Sequence, residues 1–274
     1  MSSKTCLANK IAEVTLIFWA IKVVATTLGE TTGDFIAQTL DLGYIVGLGI
    51  TGAMLAILVG AQIRAGVYHP ALFWAAIVGT TTAGTEISDM LDRTLHVGYA
   101  GGSLLLAGGL LVTLFVWYRR EGNLQVSPIV HRDVEILFWI AVLFSNSLGT
   151  AFGDWLVDGL GLHYVVGAVI CLGVIGAVLA AHHTTRLNED LVFWIAFVFT
   201  RPFGATFGDL LTKPAASGGL DLGTYNASAI CLILIAILVA IEMRRRKRGG
   251  ASGSGPVAPV IATSTTKPQG DQNV

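Results

Sequence analysis

Charge is what this sequence has least of. Only 13% of its 274 residues are Asp, Glu, Lys or Arg, about half the usual ~25%. A water-soluble chain of this size needs more charge to cover its surface. The formal net charge of −1 withholds the basic field by which proteins bind phosphate backbones, so no nucleic-acid partner is expected. Three cysteines exclude a disulfide-rich scaffold. Proline is scarce, at seven residues. Cys and His show no metal-ligand spacing. The phosphate-cradling Gly-x-x-x-x-Gly-Lys loop is missing, which argues against ATP-driven transport by this chain alone. Nucleophile-elbow and zinc-protease motifs are missing too, so no catalytic residue is assigned and no enzyme is expected. No cofactor is implied beyond a bound cation.

Apolar residues dominate instead. They make up 53% of the chain, with 33 glycines, a composition too apolar for disorder over most of its length. A helix needs roughly 20 apolar residues to cross a bilayer. Eight such stretches occur, at 12–34, 44–63, 71–89, 99–118, 134–154, 164–181, 191–209 and 225–242. The expected class is therefore an all-α, multi-pass membrane protein of eight transmembrane helices, with the lipid bilayer as its first partner. The first stretch carries Lys22, Glu30 and Asp34 and reads as a retained span, not a cleaved leader.

Basic residues set the orientation. Lys4, Lys10, Arg64, Arg119, Arg120, Arg132, Arg186 and the run Arg244, Arg245, Arg246, Lys247, Arg248 fall on one side, against Arg93 and Lys213 on the other. The positive-inside rule puts both termini in the cytoplasm. Residues 249–274, rich in Gly, Ser, Thr and Pro, read as a disordered tail.

The chain is one unit written four times. Phe18-Trp19, Phe73-Trp74, Phe138-Trp139 and Phe193-Trp194 open the units, and fifteen residues after each Trp stand Asp34, Asp89, Asp154 and Asp209. One and five residues before each aspartate lie small residues: Gly33 and Gly29, Ser88 and Gly84, Gly153 and Gly149, Gly208 and Gly204. Tyr44, Tyr99 and Tyr164 follow ten residues after the aspartate, whereas an insertion around residues 213–220 delays Tyr225. The organisation expected is a cytoplasmic N-terminus (1–11), repeats at 12–66 and 67–122, a linker (123–133), repeats at 134–186 and 187–248, and the tail. Two crossings per unit return the chain to the same side, so the repeats are expected to be parallel and the bundle pseudo-symmetric.

The Phe-Trp opening, the Gly-x-x-x-Gly-Asp helix end and the fourfold repetition resemble an uncharacterised bacterial family of integral membrane proteins built from a short "repeat of unknown function". The resemblance spans about residues 12–242, and Ser88 departs from its glycine pattern. It implies the bacterial inner membrane as the location and brings no activity with it.

The residues must supply the function. Positions four apart share a helix face, giving the stripes Lys22, Thr26, Glu30, Asp34; Thr81, Thr85, Asp89; Asn146, Thr150, Asp154; and Arg201, Ala205, Asp209, with Glu86 three before Asp89. The small pairs beside them suit close helix packing in lipid, which brings the polar stripes together. Intramembrane carboxylates cost about 2.5–3.5 kcal/mol each on insertion scales, and an acid at a helix C-terminus opposes the dipole. An aspartate can also simply close a helix at the interface, but the choice is repeated four times. Between the Trp and the aspartate the first helices hold six acids (Glu30, Asp34, Glu86, Asp89, Asp154, Asp209) and two bases, Lys22 and Arg201. Arg201 also suits an anionic substrate, or a salt bridge to one of the acids. Asp89 and Asp154 have no base on their own stripe.

The leading expectation is a secondary transporter of a cation, a divalent metal among the candidates because hard cations take oxygen ligands, coupled to protons or ions. Its candidate binding residues are Asp34, Asp89, Asp154, Asp209, Glu30, Glu86, Asn146 and Arg201, with the four aspartates as the candidate metal ligands. The alternatives are a non-transporting scaffold or sensor, whose acids only pair helices, and a membrane-embedded enzyme. Assembly into a homo-oligomer stays open.

Overall fold

A computed structural model describes residues 10–127, 129, 131–184 and 188–252. Lys4, Arg186 and the tail beyond residue 252 lie outside the described residues. Among the described residues the chain forms eight α-helices and no strand: α1 (Leu16–Asp34), α2 (Gly43–Arg64), α3 (Pro70–Asp89), α4 (Tyr99–Glu121), α5 (Arg132–Asp154), α6 (Tyr164–Thr184), α7 (Glu189–Thr212) and α8 (Gly223–Ser252). Residues 249–252, assigned to the tail from composition, continue α8.

Local chemistry explains the helix ends. The Thr15 hydroxyl accepts from the Phe18 amide and starts α1. His69 and Pro70 start α3 in the same manner, with the ring nitrogen accepting from Leu72, and Asn188 caps α7. A side-chain acceptor satisfies an amide that has no partner inside the helix. Gly122, with φ +73, closes α4 in the left-handed conformation that glycine adopts without penalty. After Asp34, Asp89 and Asp154 the helix widens into a single π turn, at Phe35–Thr39, Met90–Thr94 and Trp155–Gly159. Asp209 has none, because α7 runs on to Thr212 and the inserted segment follows.

The first helices of the four units, α1, α3, α5 and α7, form a closed ring in which each packs against the next and α7 packs against α1. The second helices lie outside it. Each packs chiefly on the first helix of the following unit: α2 on α3, α4 on α5, α6 on α7, and α8 back on α1. The sequence suggests a helix pair per unit; the principal packing partner is instead one unit along. This offset ties the units together, since no unit buries its second helix alone.

Exposure follows the same division. Ile45, Ile57, Leu104, Leu105, Leu111, Phe115, Val169, Leu172, Leu232 and Ile233 on the outer helices are exposed, as lipid-facing side chains are. Among the described residues six helices (α2, α4, α5, α6, α7 and α8) are long and apolar enough to cross a membrane. The most polar ring helices, α1 with Lys22, Glu30 and Asp34 and α3 with Thr80, Thr81, Thr82, Thr85, Glu86 and Asp89, bury these groups and so fall below that apolarity. At one end of the ring the aromatic openings meet. Phe18 lies 5.3 Å from Trp74, Phe73 lies 5.7 Å from Trp139, and Trp117 of α4 lies 5.7 Å from Trp194.

Candidate functional site: a buried charged ring

The glycines set how close the ring helices come. A Cβ at Gly29 would land on Thr81, at Gly84 on Asn146, at Gly149 on Arg201 and at Gly204 on Thr26. These four partners occupy one repeat position, eight residues before each aspartate. Each helix thus presents its glycine to the polar stripe of the next, and hydroxyls and charges sit at the joints of the ring. The threonines also use their hydroxyls across the joints: Thr81 donates to the Ala25 carbonyl at 3.1 Å and Thr26 to the Thr200 carbonyl at 3.3 Å.

Two charged networks fill the centre. In the first, the wholly buried Arg201 donates to Glu30 at 2.8 Å and to the Thr85 hydroxyl, and Thr85 approaches the same Glu30 oxygen at 3.2 Å. Three helices share this one guanidinium, whose planar fork suits several acceptors. In the second, the wholly buried Lys22 donates to Asn146 at 3.0 Å, and Asn146 donates to Thr80 at 2.9 Å. The Lys22 ammonium also sits 3.9 Å from the centre of the Phe197 ring, a distance at which the ring face attracts a cation. Of the two buried bases among the described residues of the ring helices, Arg201 pairs with an acid and Lys22 does not.

The aspartates occupy the end of the ring opposite the aromatic openings. Lys213 reaches Asp34 at 2.8 Å and Asp209 at 3.3 Å. Burial works against the Lys213 ammonium, but the two carboxylates outweigh it and hold its pKa above the usual lysine range. Gln38 donates to the other Asp34 oxygen at 2.6 Å. Arg93 lies 3.7 Å from Asp89, so Asp89 lacks a base only on its own helix. Gln38, Arg93 and Lys213 share a repeat position, four residues after the aspartate, and Asp158 stands there in the third unit. Asp158 instead accepts from Tyr99 at 3.2 Å. Asp154 consequently has no base within 4.0 Å among the described residues.

Ligand oxygens of Glu30, Asp34 and Asp209 lie within 4.8 Å of one another, all three residues buried. The structure thus brings two of the four aspartates together with Glu30; Asp89 and Asp154 lie outside this set. Carboxylate oxygens suit a hard cation, and two protein cations, Arg201 and Lys213, already contact the same three residues. Glu86 is elsewhere, between α3 and α2, against Gly47. A cavity of about 370 Å³ opens beside Asp34, lined by Gln38, Thr39, Thr212, Lys213 and Tyr225 among others.

Arg93 and Lys213 are the functional side chains that reading the helix stripes misses. Their signal is the i,i+4 spacing from an aspartate, which carries past the helix end that bounded the charge count. Glu135, paired with Lys10 at 3.0 Å, and Glu242, which accepts from Trp74 and Tyr68 at 2.8 Å, form further buried polar contacts near the aromatic end.

No curated protein and no solved structure matches this chain. The Repeat of Unknown Function (DUF347) matches it four times, at residues 17–68, 72–123, 137–188 and 192–248. Each match begins at or beside a Phe-Trp pair and takes in the aspartate and the second helix, and together they cover most of the sequence. A ring of four such units, closed by the last helix on the first, is thus what this repeat builds here: the chain belongs to the DUF347 repeat family.

Proposed function

We propose that this protein is a secondary transporter of a small cation, a divalent metal among the candidates, coupled to protons or ions through its repeated carboxylates. The observation that carries this reading is the buried acidic set Glu30, Asp34 and Asp209 beside a cavity that reaches Asp34. Acids within a membrane bundle are costly unless a cation, a proton or water meets them. In this proposal all eight helices cross the bacterial inner membrane, the four units run parallel, and both termini are cytoplasmic. The clustering of the Phe-Trp openings at one end and of Asp34 and Asp209 at the other supports that arrangement.

One observation favours a second reading. Arg201, Lys213 and Arg93 each hold an acid, as they would in a non-transporting scaffold or sensor whose charges only join helices. Ion-dependent melting in detergent and flux into liposomes separate the two. A transported ion stabilises its binding state by mass action, and a scaffold responds to no member of a broad ion panel. Asp34, Asp89, Asp154 and Asp209 changed singly to Asn keep size and an acceptor oxygen but not negative charge. Asp34→Asn and Asp209→Asn are expected to keep the fold and lose ion-dependent stabilisation most completely, since both carboxylates belong to the buried acidic set. Four Asn variants that bind and move ions like the parent would assign the aspartates to helix closure and leave the scaffold reading.

A further inference from the structure

Glu86 stands apart from both charged networks. It is 1% exposed, and neither carboxylate oxygen has a hydrogen-bond partner. A Cβ at Gly47 would lie 2.7–2.9 Å from its carboxyl atoms, so the group occupies the room that glycine leaves on α2. Gly47 stands one turn inside the N-terminus of α2, where its own amide is already engaged within the helix. Thr51, one turn further along α2, donates its hydroxyl to the Gly47 carbonyl at 2.9 Å.

The neighbouring charges do not compensate it. On α1, Glu30 and Asp34 are acids held by Arg201 and Lys213, and Lys22 donates to Asn146. On α2, Tyr44 lies near Arg93 and Arg64 is at the far end. On α5, Asp154 is an acid and Glu135 pairs with Lys10 near the aromatic openings; on α8, Glu242 bonds Trp74 there too. On the same strand of chain, Arg93 is engaged by Asp89, and Asp92 follows in the π turn. An unpaired, ionised carboxylate in such surroundings is prohibitively costly.

The repeat supplies an internal control. In three of the units the position three before the aspartate faces the second helix of the preceding unit. Thr31 there meets Ser228 through a 2.8 Å hydroxyl contact, and Thr206 lies against Gly167. The third unit has Ala151. Every counterpart of Glu86 is uncharged, so this joint is built for a neutral group.

We propose that Glu86 is a proton-binding site, a carboxyl that closes α2 on α3 as the neutral acid and must leave Gly47 when its proton departs. Proton occupancy and the α2–α3 contact are thereby linked. This stands on the packing alone; within the transporter reading, Glu86 is the group that couples cation movement to protons.

The test is infrared spectroscopy of the full-length protein carrying isotope-labelled glutamate. Among the described residues the buried glutamates are Glu30, Glu86, Glu135 and Glu242, and all but Glu86 have a base or donor. At neutral pH an isotope-shifted carbonyl band of a protonated carboxyl is expected, vanishing in alkali and missing from Glu86→Gln. A group protonated in the fold but ionised above about 4.3 when unfolded lowers stability as pH rises. The stability advantage of Glu86→Gln over the parent should therefore grow with pH. Absence of the labelled band in the parent at neutral pH overturns the proposal even if the variant fails to fold, as does a band that persists in Glu86→Gln. Liposome flux is a separate readout: a protein with the band but no flux loses the transporter reading and keeps the proton site.

Discussion

Arg201 is the buried base at which three ring helices meet. It is wholly buried, and its closest charge partner, Glu30, is nearly so. Removing one member of such a pair strands the other in a low-dielectric interior, at a cost of about 3–5 kcal/mol. Arg201→Gln alone and Glu30→Gln alone are each expected to destabilise by that order. The double variant, with two neutral amides facing each other, should lose clearly less than the sum, because the stranded charge is gone. Unfolding equilibria for the four proteins of this cycle measure the difference, and additive losses would mean that the contact contributes nothing specific. At this scale the stripes Lys22–Asp34 and Arg201–Asp209 are legible from i,i+4 spacing. The pairing is not: Arg201 stands on the stripe of Asp209 yet bonds Glu30, because its long side chain crosses the glycine joint to the next helix.

Among the elements, the ring helices depend on glycine in unequal degree. At Gly204 an added Cβ would meet Thr26, including its backbone at 3.0 Å, whereas at Gly153 the closest atom is the Ala205 Cβ at 3.4 Å. Gly204→Ala must push α7 away from α1 and is expected to cost about 1–3 kcal/mol, in the range of overpacked cores. Gly153→Ala should be neutral or slightly stabilising, since alanine favours helix over glycine. Thermal melting of the two variants side by side reads this directly, and equal melting temperatures would mean that the α1–α7 joint relaxes freely. The small-x-x-x-small spacing marks all of these glycines alike. Which of them is indispensable depends on the partner residue across the joint, threonine, asparagine or arginine, and that is a property of neighbouring units, not of the motif.

For the whole molecule, the four units make a cycle because each second helix is passed forward and α8 returns to α1. Proposed topology and ring architecture meet in one labelling experiment. Cysteines placed at Gly66 and Gly250 should resist an impermeant thiol reagent in intact cells, and one at Ser217, in the insertion of the fourth unit, should react. Labelling at Gly250 together with protection at Ser217 would invert the orientation. The insertion matters at this scale, since it carries the chain past Lys213, whose ammonium joins Asp34 of the first unit to Asp209 of the fourth. At the seam between the last unit and the first, an ion pair thus joins the two ends of the ring.

The amino-acid sequence by itself determined the membrane class, the fourfold unit and the candidate residues. Apolar run length, invariant Trp-to-Asp spacing and stripes of polar residues are local, one-dimensional signals, set by helix geometry and bilayer thickness. Only the tertiary structure decided which units meet, that the second helices are offset by one unit, that Lys213 and Arg93 compensate Asp34, Asp209 and Asp89, and that Asp154 and Glu86 are left without a base. Those outcomes depend on contacts between residues of distant repeats. Repetition hides them, because four near-identical helices offer each side chain several equivalent partners, and only the packing chooses among them.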